Sequence, residues 1–518
     1  MVEISRETRI DVLRQVALLQ QQEIERLHAR IVALVGELAT ARGEDATAAL
    51  QQELAHLHEQ LAAARHTLFG RTSERRTSET SPAQAGSPAA PEAPSPARPG
   101  HGPRPQPSLP HVEVVHTLDG PDQACPRCGG ELVPMAGQFE EHEEIDVVER
   151  SYRIVHHRRQ KYRCGCGSCI DTALGPDKPI PGGRYSIGFG VHIAVAKYLD
   201  HLPLARQVRQ MARAGLEVDS QTLWDQLHAL ARHLEASYQA LHGYVLEAPV
   251  IGADETTWRL LEKGGGKLWY AWAAVREDAV IYRIAASRSA DAAEVLLGNY
   301  RGVVMCDGYG AYSSLESRHK AFAALQGEAS FALAHCWAHV RRKLIEAEKA
   351  YPQVEIALEW IGDLYTVERQ ARKKPGADLP RELAALREQV SRPIVEKLRG
   401  WLLETRALSE SLLGKAIHYA DGLWPGLVRF LDDPRIPLDN NGAERALRGV
   451  VVGRKNHYGS RSRRGTEVAA LFYSLLESAK LSGVEPASYL AEATRRAIAR
   501  PGTVTLPRDL RSRDPRDA

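Results

Sequence analysis

Apolar residues near the N-terminus step by three and four: Ile24, Leu27, Ile31, Leu34 and Leu38, then, after a break around Gly43, Leu50, Leu54, Leu57, Leu61 and Leu68. This is the a/d stripe of a coiled coil and predicts a helical arm over 1–75. Such a stripe buries itself against a second helix, either in another copy of the chain or in a hairpin folded on itself. Residues 76–110 are dense in Pro, Ala and Ser and bury too little to order a core, so they read as a disordered linker. Helical periodicity returns at 184–247. Within it, PLARQVRQMARAGLEVDSQTLWDQL predicts a helix, a turn at Gly215 and a second helix capped near Asp219 or Ser220. That outline is a helix-turn-helix, with Gln221, Thr222 and Trp224 placed for DNA contact. Two plainly packed helices joined at a glycine are the alternative.

From Pro249 the period changes. PVIGADET, KLWYAWAAV and AVIYRIAA predict three strands, ADAAEVLLGNY a helix, GVVMCD a fourth strand and FALAHCW a fifth. A long helical stretch follows, from about Ala338 to Gly422. The order β-β-β-α-β suits a ribonuclease-H-like sheet, with Asp254 expected at the end of the first strand and Asp307 at the end of the fourth.

The composition leaves room for an ordinary core, since 43% of residues are hydrophobic, and 518 residues allow roughly three or four domains. No run of about 18 apolar residues predicts a membrane span, and MVEISRETRI lacks the apolar core of a secretion signal, so a cytoplasmic location is expected. Seven cysteines, odd in number and mostly bunched, do not make a disulfide framework; a reducing compartment and a metal site suit them better. Cys125 and Cys128 form one half-site in CPRCGG. Cys164, Cys166 and Cys169 supply the other in CGCGSC, so a structural Zn²⁺ module is expected at 111–175. Cys164 pairs with either Cys166 or Cys169. Cys306 and Cys336 fall in predicted strands and read as buried thiols.

Chemistry is suggested by the acids taken together. In-line displacement at a phosphodiester needs an activated hydroxyl and a stabilised leaving oxygen, which two divalent ions provide, and Mg²⁺ or Mn²⁺ needs only a few carboxylates. Asp254 and Asp307 supply two. The segment PLDNNGAERALRGVVVGRKN offers Asp439 or Glu444 as the third, with Asn440, Asn441 and Gly442 marking a helix start that puts Glu444 in the first turn. Singly, each acid reads as a cap or a solvated charge. The net charge of +2 says little about nucleic acid, but its distribution says more. Arg445, Arg448, Arg454, Lys455, Arg461, Arg463 and Arg464 follow Glu444 with no acid among them, as a phosphate track would, although a solvated basic face is the plain alternative. His339, Arg341 and Arg342 begin a helix after the fifth strand and are expected on the same DNA.

ADETTW, the SR of AASRSAD, CDGYGAYSSL, HCWAHVRRKL, PLDNNGAERALRGVVVGRKN and LLESAKLSGVEPASYL together resemble transposases of the insertion sequence 66 family. The resemblance continues upstream through DHLPLARQ, CPRCGG and LFGRTSER, spanning roughly Leu61 to Glu492. It implies a catalytic triad of Asp254, Asp307 and Glu444. It also implies a ribonuclease-H-like domain with an all-helical insertion between the last two. Members of that family often carry two cysteines three apart at the second half-site, where this chain has Gly167.

The expected fold is therefore multidomain α+β: a coiled-coil arm, a linker, a small zinc-binding module, the helical region, and an α/β catalytic domain at 248–480. That domain would carry an all-helical insertion at about 352–422, and a C-terminal helix and basic tail would follow at 481–518. The expected partners are double-stranded DNA at transposon ends and target, further copies of the chain, and accessory transposition proteins. Two rivals stand beside strand cleavage and transfer: a nuclease without strand transfer, and a non-catalytic zinc-containing DNA-binding protein.

Overall fold

The computed structural model describes residues 151–163, 170–262, 265–327, 329–373 and 378–511, together with Arg26, His56, Leu57 and Arg127. The chain divides into one unit of residues 1–70 with 151–518 and another of 71–150; the architecture below belongs to the first. Apart from Leu57, the coiled-coil stripe lies outside the described residues. So do the linker and all five cysteines of the expected zinc module.

A short antiparallel hairpin, β1 (Lys161–Arg163) and β2 (Ile170–Thr172), flanks the second cysteine half-site. Three helices follow: α1 (Ile187–Tyr198), α2 (Leu204–Arg213) and α3 (Ser220–Leu246). Their ends follow from local chemistry. Ser186 accepts a bond from the Phe189 N–H, and Asp219 accepts one from the Thr222 N–H at 2.6 Å. Gly215 takes φ +79° between α2 and α3, a conformation that glycine adopts without cost.

The sheet comprises β3 (Val250–Glu262), β4 (Gly265–Arg276), β5 (Ala279–Ala285), β6 (Val303–Cys306) and β7 (Ala332–His335). Helix α4 (Ala290–Leu297) precedes β6, and α5 (Gly310–Gln326) joins β6 to β7. The spatial order is β5-β4-β3-β6-β7; β3 to β5 pair antiparallel, while β6 runs parallel to β3 and β7 parallel to β6. The fifth strand ends at His335, so Cys336 caps the next helix instead of lying in the strand that the sequence suggested. Its thiol is buried, as is that of Cys306.

A helical run then occupies α6 (Trp337–Glu348), α7 (Glu355–Arg372), α8 (Leu379–Leu386), α9 (Arg392–Glu404), α10 (Leu412–Gly422) and the one-turn α11 (Trp424–Leu427). The chain closes with α12 (Asn441–His457), α13 (Arg463–Leu481) and α14 (Pro486–Ala499). Helix α13 covers the β5 edge with serines. Ser478 Oγ accepts from the Val280 N–H and donates to the Val280 carbonyl, both at 2.9 Å, and Ser474 Oγ accepts from the Tyr282 N–H at 2.8 Å. An otherwise unpaired strand edge is satisfied this way.

Alternation along β6, β7 and the start of β3 sorts their apolar residues into two cores, while successive residues of β4 and β5 all join the first. Ile251, Ala253, Val304 and Leu333 join one with Leu227, Leu230 and Leu234 of α3, Phe472 and Leu475 of α13, and Tyr489 and Leu490 of α14. Met305 and Ala334, the intervening positions, join the other with Val340, Leu344, Ile361, Leu364, Leu398 and Leu413 of the helical run. The helices at 187–246 and 486–499 thus share one core with the sheet. Beside the second core, the buried Arg387 ties the helical run to the segment that follows it. Its guanidinium donates to Glu368 Oε1 (2.7 Å) and to the carbonyls of Phe430 (2.7 Å), Asp433 (3.0 Å) and Ile436 (3.1 Å).

Candidate active site

Asp254 stands inside the thirteen-residue β3, not at its end as the sequence suggested. The reason is that β3 has neighbours of unequal length. Its parallel ladder with β6 stops at Gly252 opposite Met305, while its antiparallel ladder with β4 runs on to Glu262. On the β6 side, Asp254 therefore lies just past the ladder, where Asp307 follows directly on Cys306. Each aspartate is held by a backbone donor. The Glu255 N–H donates to Asp254 Oδ1 at 2.8 Å, and the Tyr309 N–H donates to Asp307 Oδ1 at 2.9 Å. The Tyr419 hydroxyl of α10 also donates to the Asp307 carbonyl.

Glu444 arrives on the first turn of α12 because that turn is pinned to β3 by Asn440, a residue that sequence reasoning took only as part of a helix start. Asn440 is buried; its Nδ2 donates to the Ala253 carbonyl at 2.8 Å and its backbone N–H to Cys336 Sγ at 3.2 Å. Gly252 permits the approach, since a Cβ there would come within 2.8 Å of Asn440 Oδ1 and 3.4 Å of Ala443 Cβ. Asp439, flanking the N-cap Asn440, accepts from the Asn441 N–H at 3.1 Å. Helix α6 meets the same region, for the Trp337 N–H donates to the Leu438 carbonyl. His339 Nε2 consequently stands 3.7 Å from Glu444 Oε1.

The three carboxylates act on one another. Burial pushes the Asp254 carboxyl up to about 7; the Glu255 N–H opposes the rise, and the charges of Glu255, Asp307 and Glu444 add to it. An all-oxygen donor set of this kind suits Mg²⁺ or Mn²⁺. Glu444 Oε1 is buried and has no hydrogen-bond partner among the described residues, so that lone pair is open for a ligand. As the side chains stand, no three His, Cys, Asp or Glu among the described residues enclose a single ion. The donor chemistry of the three carboxylates fits such an ion, but their side chains do not close on one as placed, with Glu444 set toward His339 at 3.7 Å.

Of the basic residues expected on DNA, Arg341, Arg342, Arg445, Arg448 and Lys455 are exposed. Arg454 is turned onto β3, donating to Thr256 Oγ1 (3.2 Å) and to the carbonyl and hydroxyl of Thr257. On α3, Gln221 is exposed and bonded to Asp225, while Trp224 stacks on His228 and packs against the first core. Beside the acids lies a network joining residues of the ADETTW, AASRSAD and CDGYGAYSSL motifs, whose mutual contacts the sequence did not signal. The Glu255 carboxylate accepts from Arg288 Nε (2.9 Å) and Nη2 (2.5 Å) on one oxygen, and from the Tyr312 hydroxyl (2.9 Å) on the other. Among the described residues, no helix is long and apolar enough to cross a membrane.

Residues 122–167 match the zinc-finger binding domain of transposase IS66, a span holding Cys125, Cys128, Cys164 and Cys166. Two relatives from Sinorhizobium fredii (strain NBRC 101917 / NGR234) align over most of the chain. The uncharacterized protein y4jD is 32% identical over 414 residues, covering 77% of this chain and 78% of its own. The uncharacterized protein y4qI is 33% identical over 422 residues, covering 77% and 75%. Residues 182–468 match the transposase IS66 family, a span of more than half the chain that takes in the whole five-stranded sheet, the helical run and Asp254, Asp307 and Glu444; the chain belongs to that family of transposases.

Proposed function

We propose that this transposase cuts DNA at the ends of a mobile element and joins the freed 3′ ends to target DNA, with Asp254, Asp307 and Glu444 as the ligands of Mg²⁺ or Mn²⁺. The observation that carries this is electrostatic. Burial raises the Asp254 carboxyl on β3, and the charges of Asp307, on the turn after β6, and Glu444, at the start of α12, stand close enough to add to that rise, an arrangement that a cation would relieve. The sheet order, with a fourth and a fifth strand parallel to the first, supports a ribonuclease-H-like domain carrying the helical run as an insertion. Bound at these oxygens, divalent ions supply activation of the attacking hydroxyl and neutralisation of the leaving oxygen.

The chain's own groups do the rest. Two backbone N–H groups orient the aspartates, and α12 presents Glu444 with an unshared oxygen. Arg445 and Arg448, exposed on the same helix, bind the phosphate being cut. Arg341 and Arg342 on α6, beside His339, and Lys455 at the end of α12 extend the track along the DNA backbone. Cys125, Cys128, Cys164 and either Cys166 or Cys169 hold one structural Zn²⁺. The family match supports the set with Cys166, because it ends at residue 167. The apolar stripe from Ile24 to Leu68 would join copies of the chain so that two ends are held together.

The test is a strand-transfer assay with labelled paired ends, target DNA and Mg²⁺. Nicked ends and joined products are expected. Nicked ends that never join would replace this reading with that of a nuclease. Tight binding to ends without cutting in Mg²⁺ or Mn²⁺ would leave a non-catalytic DNA-binding protein.

A further inference from the structure

The ladder between β3 and β6 ends at Gly252 and Met305, before either aspartate is reached. Backbone pairing between these two strands therefore does not fix the separation of Asp254 and Asp307. A side-chain clasp spans the gap. Arg288, in the segment between β5 and α4, places two donors on Glu255 Oε1. Its guanidinium also lies over the Tyr309 ring, 3.8 Å from the centroid, and the Tyr309 hydroxyl donates to the Arg288 carbonyl at 2.7 Å. Each end of the clasp leads to an aspartate. The Glu255 N–H is the donor to Asp254, and the Tyr309 N–H is the donor to Asp307.

We infer that Arg288 is a positioning residue: by gripping Glu255 and Tyr309 at once it sets the spacing of the Asp254 and Asp307 carboxylates, and with it the affinity for divalent ions. The inference rests on the proposal that these aspartates are the metal ligands. Arginine suits the task, since a planar guanidinium can fork onto a carboxylate and stack on an aromatic face together, which an ammonium cannot. The Glu255 side chain is 1% exposed and that of Arg288 42%, so the arginine closes the clasp from the solvent side. Direct partners of metal ligands typically change metal affinity or activity by about 10–100-fold when lost, and Arg288, acting through Glu255 and Tyr309, is expected at the lower end of that range.

Burial of Glu255 also gives the pair a structural part, so the test must separate folding from positioning. Mn²⁺ binding to the full-length chain, followed by electron paramagnetic resonance, is measured beside end cleavage, metal-free end binding and thermal melting. Arg288→Lys keeps a cation near Glu255 but loses the fork and the stack. It is expected to melt near wild type and bind ends equally well. Its Mn²⁺ affinity and cleavage are expected to fall by about 10-fold, with cleavage partly recovered at high Mn²⁺. Tyr309→Phe, lacking only the hydroxyl, should shift both readouts the same way by less. Should Arg288→Lys fail to fold, the double variant Glu255→Leu with Arg288→Met decides, because it leaves no unpaired buried charge. Wild-type Mn²⁺ affinity and cleavage in whichever of these two variants folds would overturn the inference. Asp254→Asn keeps the two failures apart. If it still binds Mn²⁺ and cuts, the proposed catalytic reading falls and the inference with it; if it is dead while the Arg288 variants match wild type, only the positioning role is lost.

Discussion

The two faces of the sheet are covered by different kinds of sequence. One core gathers helices from far apart in the chain, α1 and α3 before the sheet and α13 and α14 after it. The other is built mostly from one contiguous helical run that begins at α6. The acids lie where the two cores meet. Asp254 has the strand parity of Val250, which packs against the second core, whereas Glu255 follows Ile251 and Ala253 toward the first. Helix α12 crosses the seam: Ile436 and Leu438, just before it, belong to the second core, and Leu447 and Val450, along it, to the first. The helical run between Asp307 and Glu444 packs against Met305 and Ala334 of the sheet and returns the chain to β3 through Asn440, so its length does not part the two acids.

The largest expected effect strikes the seam itself. Asp254→Asn or Asp307→Asn should lower cleavage of labelled ends by at least about 10²–10³-fold, the usual cost of removing one preorganised charge-stabilising group, while end binding stays unchanged. Cleavage at the wild-type rate by either variant removes that residue from the proposed triad. The comparison of the cores can be broken from the insertion side. Arg387→Met leaves the buried Glu368 only its longer 3.7 Å contact with Arg372 and should cost about 3 kcal/mol, read by hydrogen exchange across α7, α9 and α10. Amides of β4, β5 and α13 should keep their protection. If they lose it equally, the cores form one cooperative unit.

A smaller effect probes the first core through pH. Burial, and secondarily the Lys197 charge, lowers the His457 imidazole from 6.5 to about 3. The unfolded chain therefore binds a proton that the folded chain refuses. The stability from keeping this ring neutral is fully present above about pH 6.5 and is lost as pH falls toward 3. His457→Gln should shrink the loss of stability between pH 7 and pH 4.5 by about 2 kcal/mol, as followed by thermal melts. An unchanged acid limb would show that another group controls it.

Much of this was legible in the sequence because it is written in short-range patterns. Period-two runs gave five strands in the right order, Gly215 and Asp219 marked a turn and a cap, and the Asn-Asn-Gly segment marked the start that puts Glu444 on the first turn. What was not legible depends on partners distant in the chain. The unequal ladders of β3, which put Asp254 inside a strand, depend on where β6 ends. Asn440 finds Ala253 across 187 positions, and Arg288 finds Glu255 across 33, with no periodic trace of either. Arg454 looked like one more phosphate ligand in a basic run, yet its bonds are to Thr256 and Thr257 of β3.

The most direct test compares the two acids at the start of α12. Asp439 is occupied with the Asn441 N–H, whereas Glu444 carries a buried oxygen that has no hydrogen-bond partner among the described residues and only His339 at 3.7 Å. Mg²⁺-dependent cleavage of a labelled end is measured for Glu444→Gln and Asp439→Asn, with thermal melts of both. Glu444→Gln is expected to fold well and not to cleave. Asp439→Asn is expected to cleave near normally, at a cost of about 0.5–2 kcal/mol in stability. A folded but inactive Asp439→Asn beside an active Glu444→Gln would contradict the proposed triad.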